Sequence, residues 1–305
     1  MRLFGRRWRV QVGELVSADL DLSFKVTRQH AARPGTAEIT LYNLTPSHRS
    51  EILKSPRARH WLLSAPGQPD TPGQAGTVVE LAAGYGTEAP TIFRGTLRRV
   101  VQKREGATDW TITVTAGDGA YAIRNARVRR AFAADTQLGT VLGAIADAMG
   151  VGRGNLDEVV PRAQFDRVGA IFPEGTLVHG SAADELTRLC MSAGLEWSIQ
   201  DGHLLVLERG AAIRRAAVVL SPDTGLVGSP ERNGRRRAKA RALIIPDLVP
   251  GCVVDLRSEV IAGEFRILHA EYSGDTRGGD WYAAMDLIRY DKVQRPLLGP
   301  ATGGA

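Results

Sequence analysis

Two cysteines in 305 residues, Cys190 and Cys252, are too few for a disulfide framework or a four-cysteine zinc site. That count offers no argument for an oxidising, secretory setting. No apolar stretch reaches the roughly 18–20 residues a spanning helix needs, which argues against membrane insertion. The first ten residues are basic but no apolar run follows, so they do not read as a secretory signal. Lysine is scarce, and arginine supplies nearly all of a net charge of +6. The few aromatic residues do not interleave with the arginine clusters as base-stacking side chains would.

What is present is ordinary globular material: 43% hydrophobic and 24% charged residues, which excludes global disorder. The length suggests two or three domains. With 34 Gly and 15 Pro, many between short alternating segments, the chain reads as β-rich rather than as a helix bundle. Phe24 and Val26, then Ala37, Ile39 and Leu41, alternate with polar neighbours as in a half-buried sheet. Thr45-Pro46 marks a helix start that runs through Ile52 and Leu53. Residues 64–76 form a Pro/Gly loop, and further strands are expected at 77–83, 91–101 and 110–116.

The pattern changes near Gly117. Leu138, Val141, Leu142, Ile145 and Met149 make one face of a helix stopped by Gly150. Ser181 and Asp184 open a second helix, with Leu186, Leu189, Cys190 and Ala193 on one face and Gly194 at its end. Asp201-Gly202 then joins two alternating runs as a hairpin turn. After residue 216 the pattern is β again, at 217–220, 240–245, 252–257, 265–272 and 281–289. The expected fold is mainly β with an α/β middle module: two related small antiparallel β-barrels flanking a mixed α/β insert. The expected boundaries are 1–117, 118–215 and 216–292, with a flexible tail at 293–305.

The two flanks echo each other. Gly76–Leu81, Arg94–Val100 and Asp109-Trp110 parallel Gly251–Leu256, Ala262–Leu268 and Asp280-Trp281. The alternatives are chance similarity between two meanders and two copies of one barrel. In the second case Val79, Leu81 and Trp110 are buried core at places equivalent to Val254, Leu256 and Trp281.

No constellation of reactive residues emerges. His30, His48, His60, His179, His203 and His269 do not fall at metal-ligand spacing on one element, and there is no HExxH helix. His179 precedes Ser181 closely, but Ser181 is used as a helix cap and there is no GxSxG elbow. Both cysteines read as small core residues. Gly150–Gly154 follows a helix, not a strand, so it fails as a dinucleotide loop. Asp19 with Asp21, or Asp223 with Glu231, could pair as glycosidase carboxylates on spacing alone. Asn43-Leu44-Thr45 matches a glycosylation sequon that is idle without secretion. Thus no catalytic, cofactor or metal site is assigned. Three arginine clusters remain: Arg6, Arg7 and Arg9; Arg124, Arg127, Arg129 and Arg130; and Arg232, Arg235, Arg236 and Arg237, continuing to Arg241. Clustered arginine can contact a polyanion or an acidic protein partner. The last cluster is expected on a flexible loop or at a protein interface rather than gripping DNA specifically.

Thr224–Arg232, Ala242–Val253 and Phe265–Trp281 resemble the C-terminal part of phage baseplate hub proteins. Ala37–Thr45, Leu81–Gly86 and Ile92–Leu97 resemble the same family's first barrel. The resemblance implies a homotrimer in which two related barrels per subunit adapt a six-fold tail tube to a three-fold spike, in the baseplate of the virion tail. The implied partners are the tube protein, a separate spike protein and other baseplate proteins. The family includes the hub part of type VI secretion spike proteins, and the resemblance extends alike to phages, tailocins and related injection particles. No catalysis is implied. Two rival readings are a particle-associated peptidoglycan hydrolase or peptidase, and a nucleic-acid-binding protein.

Overall fold

The computed structural model describes residues 5–54, 76–87, 89–105, 109–159, 171–213 and 216–291. The expected loop at 64–75 and the tail at 293–305 lie outside those ranges. The first flank contains β1 (Arg6–Val12), β2 (Leu15–Ser17), β3 (Leu22–Gln29), β4 (Gly35–Leu41), α1 (Pro46–Lys54), β5 (Val78–Tyr85), β6 (Thr91–Glu105) and β7 (Asp109–Asp118). Alternation does what it should: Leu22, Phe24 and Val26 in β3 and Ala37, Ile39 and Leu41 in β4 are buried, their neighbours are not. Thr45 caps α1 by accepting from the His48 N–H at 3.2 Å.

The middle contains α2 (Ala120–Asn125), β8 (Arg127–Phe132), β9 (Thr136–Gln137), α3 (Leu138–Met149), α4 (Leu156–Val159), β10 (Ile171–Phe172), β11 (Thr176–Ser181), α5 (Ala182–Ser192), β12 (Leu195–Gln200) and β13 (His203–Glu208). α3 ends where Gly150 turns left-handed, at φ 67°. The β12–β13 turn places Asp201 and Gly202 both at positive φ, as the sequence demanded. α3 and α5 pack Leu142, Ile145, Leu186 and Leu189 with Trp197 and Val206 of the hairpin into a cluster of their own.

The second flank contains β14 (Val218–Leu220), β15 (Leu226–Arg232), β16 (Arg237–Leu243), β17 (Val253–Arg257), β18 (Ala262–Asp275) and β19 (Trp281–Arg289). β15 is not visible in the alternation, because Gly228 and Pro230 interrupt it. Its register with β16 is broken between Val227 and Glu231.

The flanks join in one 13-stranded sheet ordered β15-β16-β19-β18-β3-β4-β7-β6-β5-β1-β2, with β17 on β18 and β14 on β17. The two halves follow the same path. β3-β4-β7-β6-β5-β1 corresponds to β15-β16-β19-β18-β17-β14, except that β14 runs parallel to β17 while β1 runs antiparallel to β5. Each half curls over its own part of a core that is continuous through both. Their common seam is β3 against β18, seven antiparallel pairs from Ser23↔Asp275 to Gln29↔His269. Among the described residues neither half closes on itself through a ladder; each is an open, curled arc.

The correspondence extends to register. The long strand of each half is irregular at the same place, after Leu97 in β6 and after Ile267 in β18, although β6 has a further irregularity against β5 at Ile92 that β18 lacks against β17. Leu97 pairs with Ala116 and Ile267 with Leu287. Two residues before, Gly95 opposes Val79 and Phe265 opposes Val254. Seven residues after, Arg104 opposes Trp110 and Gly274 opposes Trp281. Even the strand-entry bonds agree: Leu97 N–H donates to Thr77 O at 2.8 Å and Ile267 N–H to Cys252 O at 2.9 Å. The glycine part of the sequence echo is out by two. It aligned Leu97 with Phe265, whereas the ladder equates Leu97 with Ile267. A slip of two leaves every side chain on its face, so alternation could not reveal it.

Candidate functional site

Val79, Leu81, Val254 and Leu256 are fully buried, and Trp281 is 4% exposed. Trp110 differs from the expectation: it is half-buried, with the Arg49 guanidinium 4.6 Å and that of Arg104 5.7 Å from its ring centroid. Trp281 has what Trp110 lacks, a neighbouring arc. Trp8 and Phe24 meet its ring edge-on at 6.2 and 5.3 Å, Arg6 lies 5.4 Å from it, and Tyr85 Oη donates to its carbonyl at 3.2 Å. All four partners come from the first arc. Gly274 makes this possible, since a Cβ there would stand 2.4 Å from the Phe24 ring.

The arginine clusters are dispersed over separate elements. Arg6 donates to the carbonyls of Asp275 and Gly279, Arg7 to that of Gly86, and Arg9 pairs with Glu80 at 2.9 Å. Arg127 donates to the Arg124 and Ala126 carbonyls, and Arg130 lies over Phe132. The stretch from Arg232 to Arg241 is not one loop: it is the end of β15, a turn and most of β16. Arg232, Arg235, Arg236 and Arg237 line a crevice with Ile261, Phe265 and Arg289. The sequence shows no acid within this stretch, but the fold brings Asp291 to Arg236 at 2.8 Å and to Arg289 at 3.5 Å. Such exposed pairs contribute at most about 1 kcal/mol. Reversing Arg235, Arg236 and Arg237 together is therefore expected to leave the melting curve almost unchanged while impairing assembly with other tail proteins in a sedimentation assay. Normal assembly of that triple variant would remove these residues from any interface.

The candidate reactive groups sit in structural contacts. Ser181 accepts from the Asp184 N–H at 3.4 Å as the cap of α5. Cys190 and Cys252 are buried and not joined in a disulfide, and burial pushes the Cys190 thiol up to about 12. Among the described residues no group of three or more His, Cys, Asp or Glu could hold a metal ion. Asp21 accepts weakly from Asn43 and Thr276 at its turn.

The residues that sequence reasoning missed form a polar clasp between the β12–β13 hairpin and the sheet. Asp118, at the end of β7, accepts from the N–H groups of Asp201 and Gly202, the latter at 3.0 Å. Burial pushes its carboxyl up to about 6. Arg28, 5% exposed, bonds Asp201 at 2.6 Å and the Ile92 carbonyl at 3.0 Å. His30 Nδ1 meets Ser198 Oγ at 2.9 Å, and burial, with Arg266 nearby, pushes its imidazole down to about 4. Arg266 reaches the Ala211 carbonyl at 2.6 Å and Glu196 at 3.4 Å. Two carboxylates do converge here, but both Asp118 oxygens are occupied by backbone N–H groups and Asp201 is neutralised by Arg28. The arrangement positions the middle module; it does not present an acid to a substrate. Nothing in the sequence pattern of Arg28 or Asp118 separates them from surface residues of a strand.

A family model described as baseplate hub gp41 matches residues 7–286. No curated protein matches the chain. Among solved structures, the 43 kDa tail protein of prophage MuSo2 from Shewanella oneidensis superposes with a TM-score of 0.59 at 13% identity, covering 93% of this chain and 98% of that one. The tail protein from Neisseria meningitidis MC58 gives 0.59 at 9% identity over 94% and 97%. The Escherichia coli c3393 protein, described as a type VI secretion component with structural similarity to the T4 tail proteins gp27 and gp5, gives 0.57 at 11% identity over 93% and 77%. At these identities the likeness is one of fold.

Proposed function

Because the chain belongs to the baseplate hub gp41 family, and so to the structural proteins of the phage tail, we propose that it acts as a homotrimeric, non-catalytic hub. Its task is to adapt a six-fold tail tube to a three-fold spike. One observation carries this: the two arcs share strand order and the position of the bulge after Leu97 and after Ile267, so each chain repeats one strand framework twice. Three chains then offer six similar surfaces on one side while remaining three-fold as an assembly, which a head-to-tail cyclic contact can close. In this reading residues 1–117 and 216–292 are the tube-facing units and 118–215 is a module held against them by the Arg28–Asp201 clasp. The tube protein, a separate spike protein and neighbouring baseplate proteins are the partners. Light scattering on the purified chain tests the reading, with a mass near three times 32.9 kDa expected. A monomer at high concentration, or clearing on peptidoglycan zymograms that a single acid substitution abolishes, would overturn it.

A further inference from the structure

Each chain makes one arc-to-arc joint internally and, among the described residues, holds two strand edges that match the halves of a second. Along one edge β18 is covered first by β17, at Ala262–Arg257 and onward to Arg266, and then by β3, at His269–Asp275. In β6 the corresponding edge is covered by β5 over Thr91–Thr96, and among the described residues no strand lies beside the stretch Val100–Lys103 that follows. Among the described residues β15, the counterpart of β3, pairs with β16 alone. Unpaired edges of this length are normally capped or satisfied by another strand.

We infer that β15 of one copy pairs antiparallel with Val100–Lys103 of β6 in the next copy, and that Trp110 is the side chain this joint buries. The partner is a second copy of this chain, and the inference rests on the trimer reading. Carrying the β3–β18 register across places Glu231 opposite Lys103 and Arg232 opposite Gln102. A charge pair crosses each joint, at a different ladder position. Lys25 of β3 bonds Glu271 of β18 diagonally at 2.9 Å, and the counterpart of Glu271 is the apolar Val101; in the second joint Glu231 instead faces Lys103 directly, where Lys25 faces Ser273. Bulk is redistributed as well. In the internal joint Phe24 stands against Gly274. In the second joint the counterpart of Gly274 is Arg104, and the counterpart of Phe24 is the three-residue bulge Gly228–Pro230, whose extra backbone displaces the strand where Arg104 needs room. Trp110 occupies the ladder position of Trp281 and stays partly exposed, since among the described residues no arc covers it as the first arc covers Trp281.

Cysteine pairs test the register directly. With Lys103→Cys and Glu231→Cys in one chain, oxidation is expected to give covalent dimers and trimers and no larger species. The internal control, Lys25→Cys with Ser273→Cys, is expected to cross-link within the monomer. If light scattering finds trimers and only the control pair cross-links, this joint is wrong while the hub reading stands. If the chain is monomeric and only the control cross-links, both fall. Trp110→Ala is expected to raise the trimer dissociation midpoint at least tenfold with little change in the monomer's circular dichroism; an unchanged midpoint would remove Trp110 from the joint.

Discussion

Replacing Trp281 by Ala is expected to destabilise the subunit by about 3–5 kcal/mol, the range for removing a large buried aromatic. The ring lies where the two arcs meet, between Trp8 and Phe24 with Arg6 beside it, so the cavity opens at the seam rather than within one arc. Its indole N–H is buried without a hydrogen-bond partner among the described residues. Trp281→Phe should therefore keep most of the stability, since it retains ring contacts and removes an unsatisfied donor. At about 2–4 °C per kcal/mol, the Ala variant should melt roughly 6–20 °C lower. A loss below about 1 kcal/mol would mean that the seam repacks and that the two arcs do not depend on this side chain.

The clasp should give a pH signature made of two opposed contributions. His30 is held neutral, its side chain 2% exposed, facing Ser198, Glu196 and Arg266. With a folded value of about 4 against 6.5 for the free group, its contribution is complete above about pH 6.5 and is lost as pH falls towards 4. Asp118, facing Arg28, Asp201 and the Gly202 N–H, goes the other way. With a folded value of about 6 against 3.8, its contribution is present at low pH and is lost as pH rises through 6. Between pH 7 and 5 the two nearly offset, so the natural chain should show a shallow profile. Asp118→Asn keeps an acceptor and removes the compensation, so its stability should fall by on the order of 1–2 kcal/mol over that range. His30→Gln should become more stable relative to the natural chain on acidification by a similar amount. Denaturant midpoints at pH 7, 6 and 5 would check this; parallel profiles for all three chains would show that neither group titrates in the clasp.

The helices and tight turns were legible because their signals are local. Thr45-Pro46, Ser181, Gly150 and Asp201-Gly202 each satisfy or strain backbone groups within a few residues, so they act wherever the chain goes. Strands β3 and β4 were legible through period-2 burial. β15 was hidden because Gly228 and Pro230 break that period at the bulge. The clasp was illegible for a different reason: Arg28, Asp118 and Asp201 are far apart in the chain, and their burial depends on a hairpin docking on a sheet.

The sequence by itself determined a β-rich chain with an α/β middle and the resemblance to baseplate hubs; it offered the pairing of Val79, Leu81 and Trp110 with Val254, Leu256 and Trp281 as one of two alternatives, the other being chance similarity. Only the tertiary structure decided that the two flanks join through β3 and β18 into one sheet with a common core. It also decided that the repeat runs two residues out of step with the glycine echo, and that Trp281 is enclosed while Trp110 is not. Alternation reports which face a residue occupies, and it is blind to an even slip and to which strand lies alongside. Edge pairing depends on backbone groups every residue shares, so partner and register emerge only when the whole sheet is assembled.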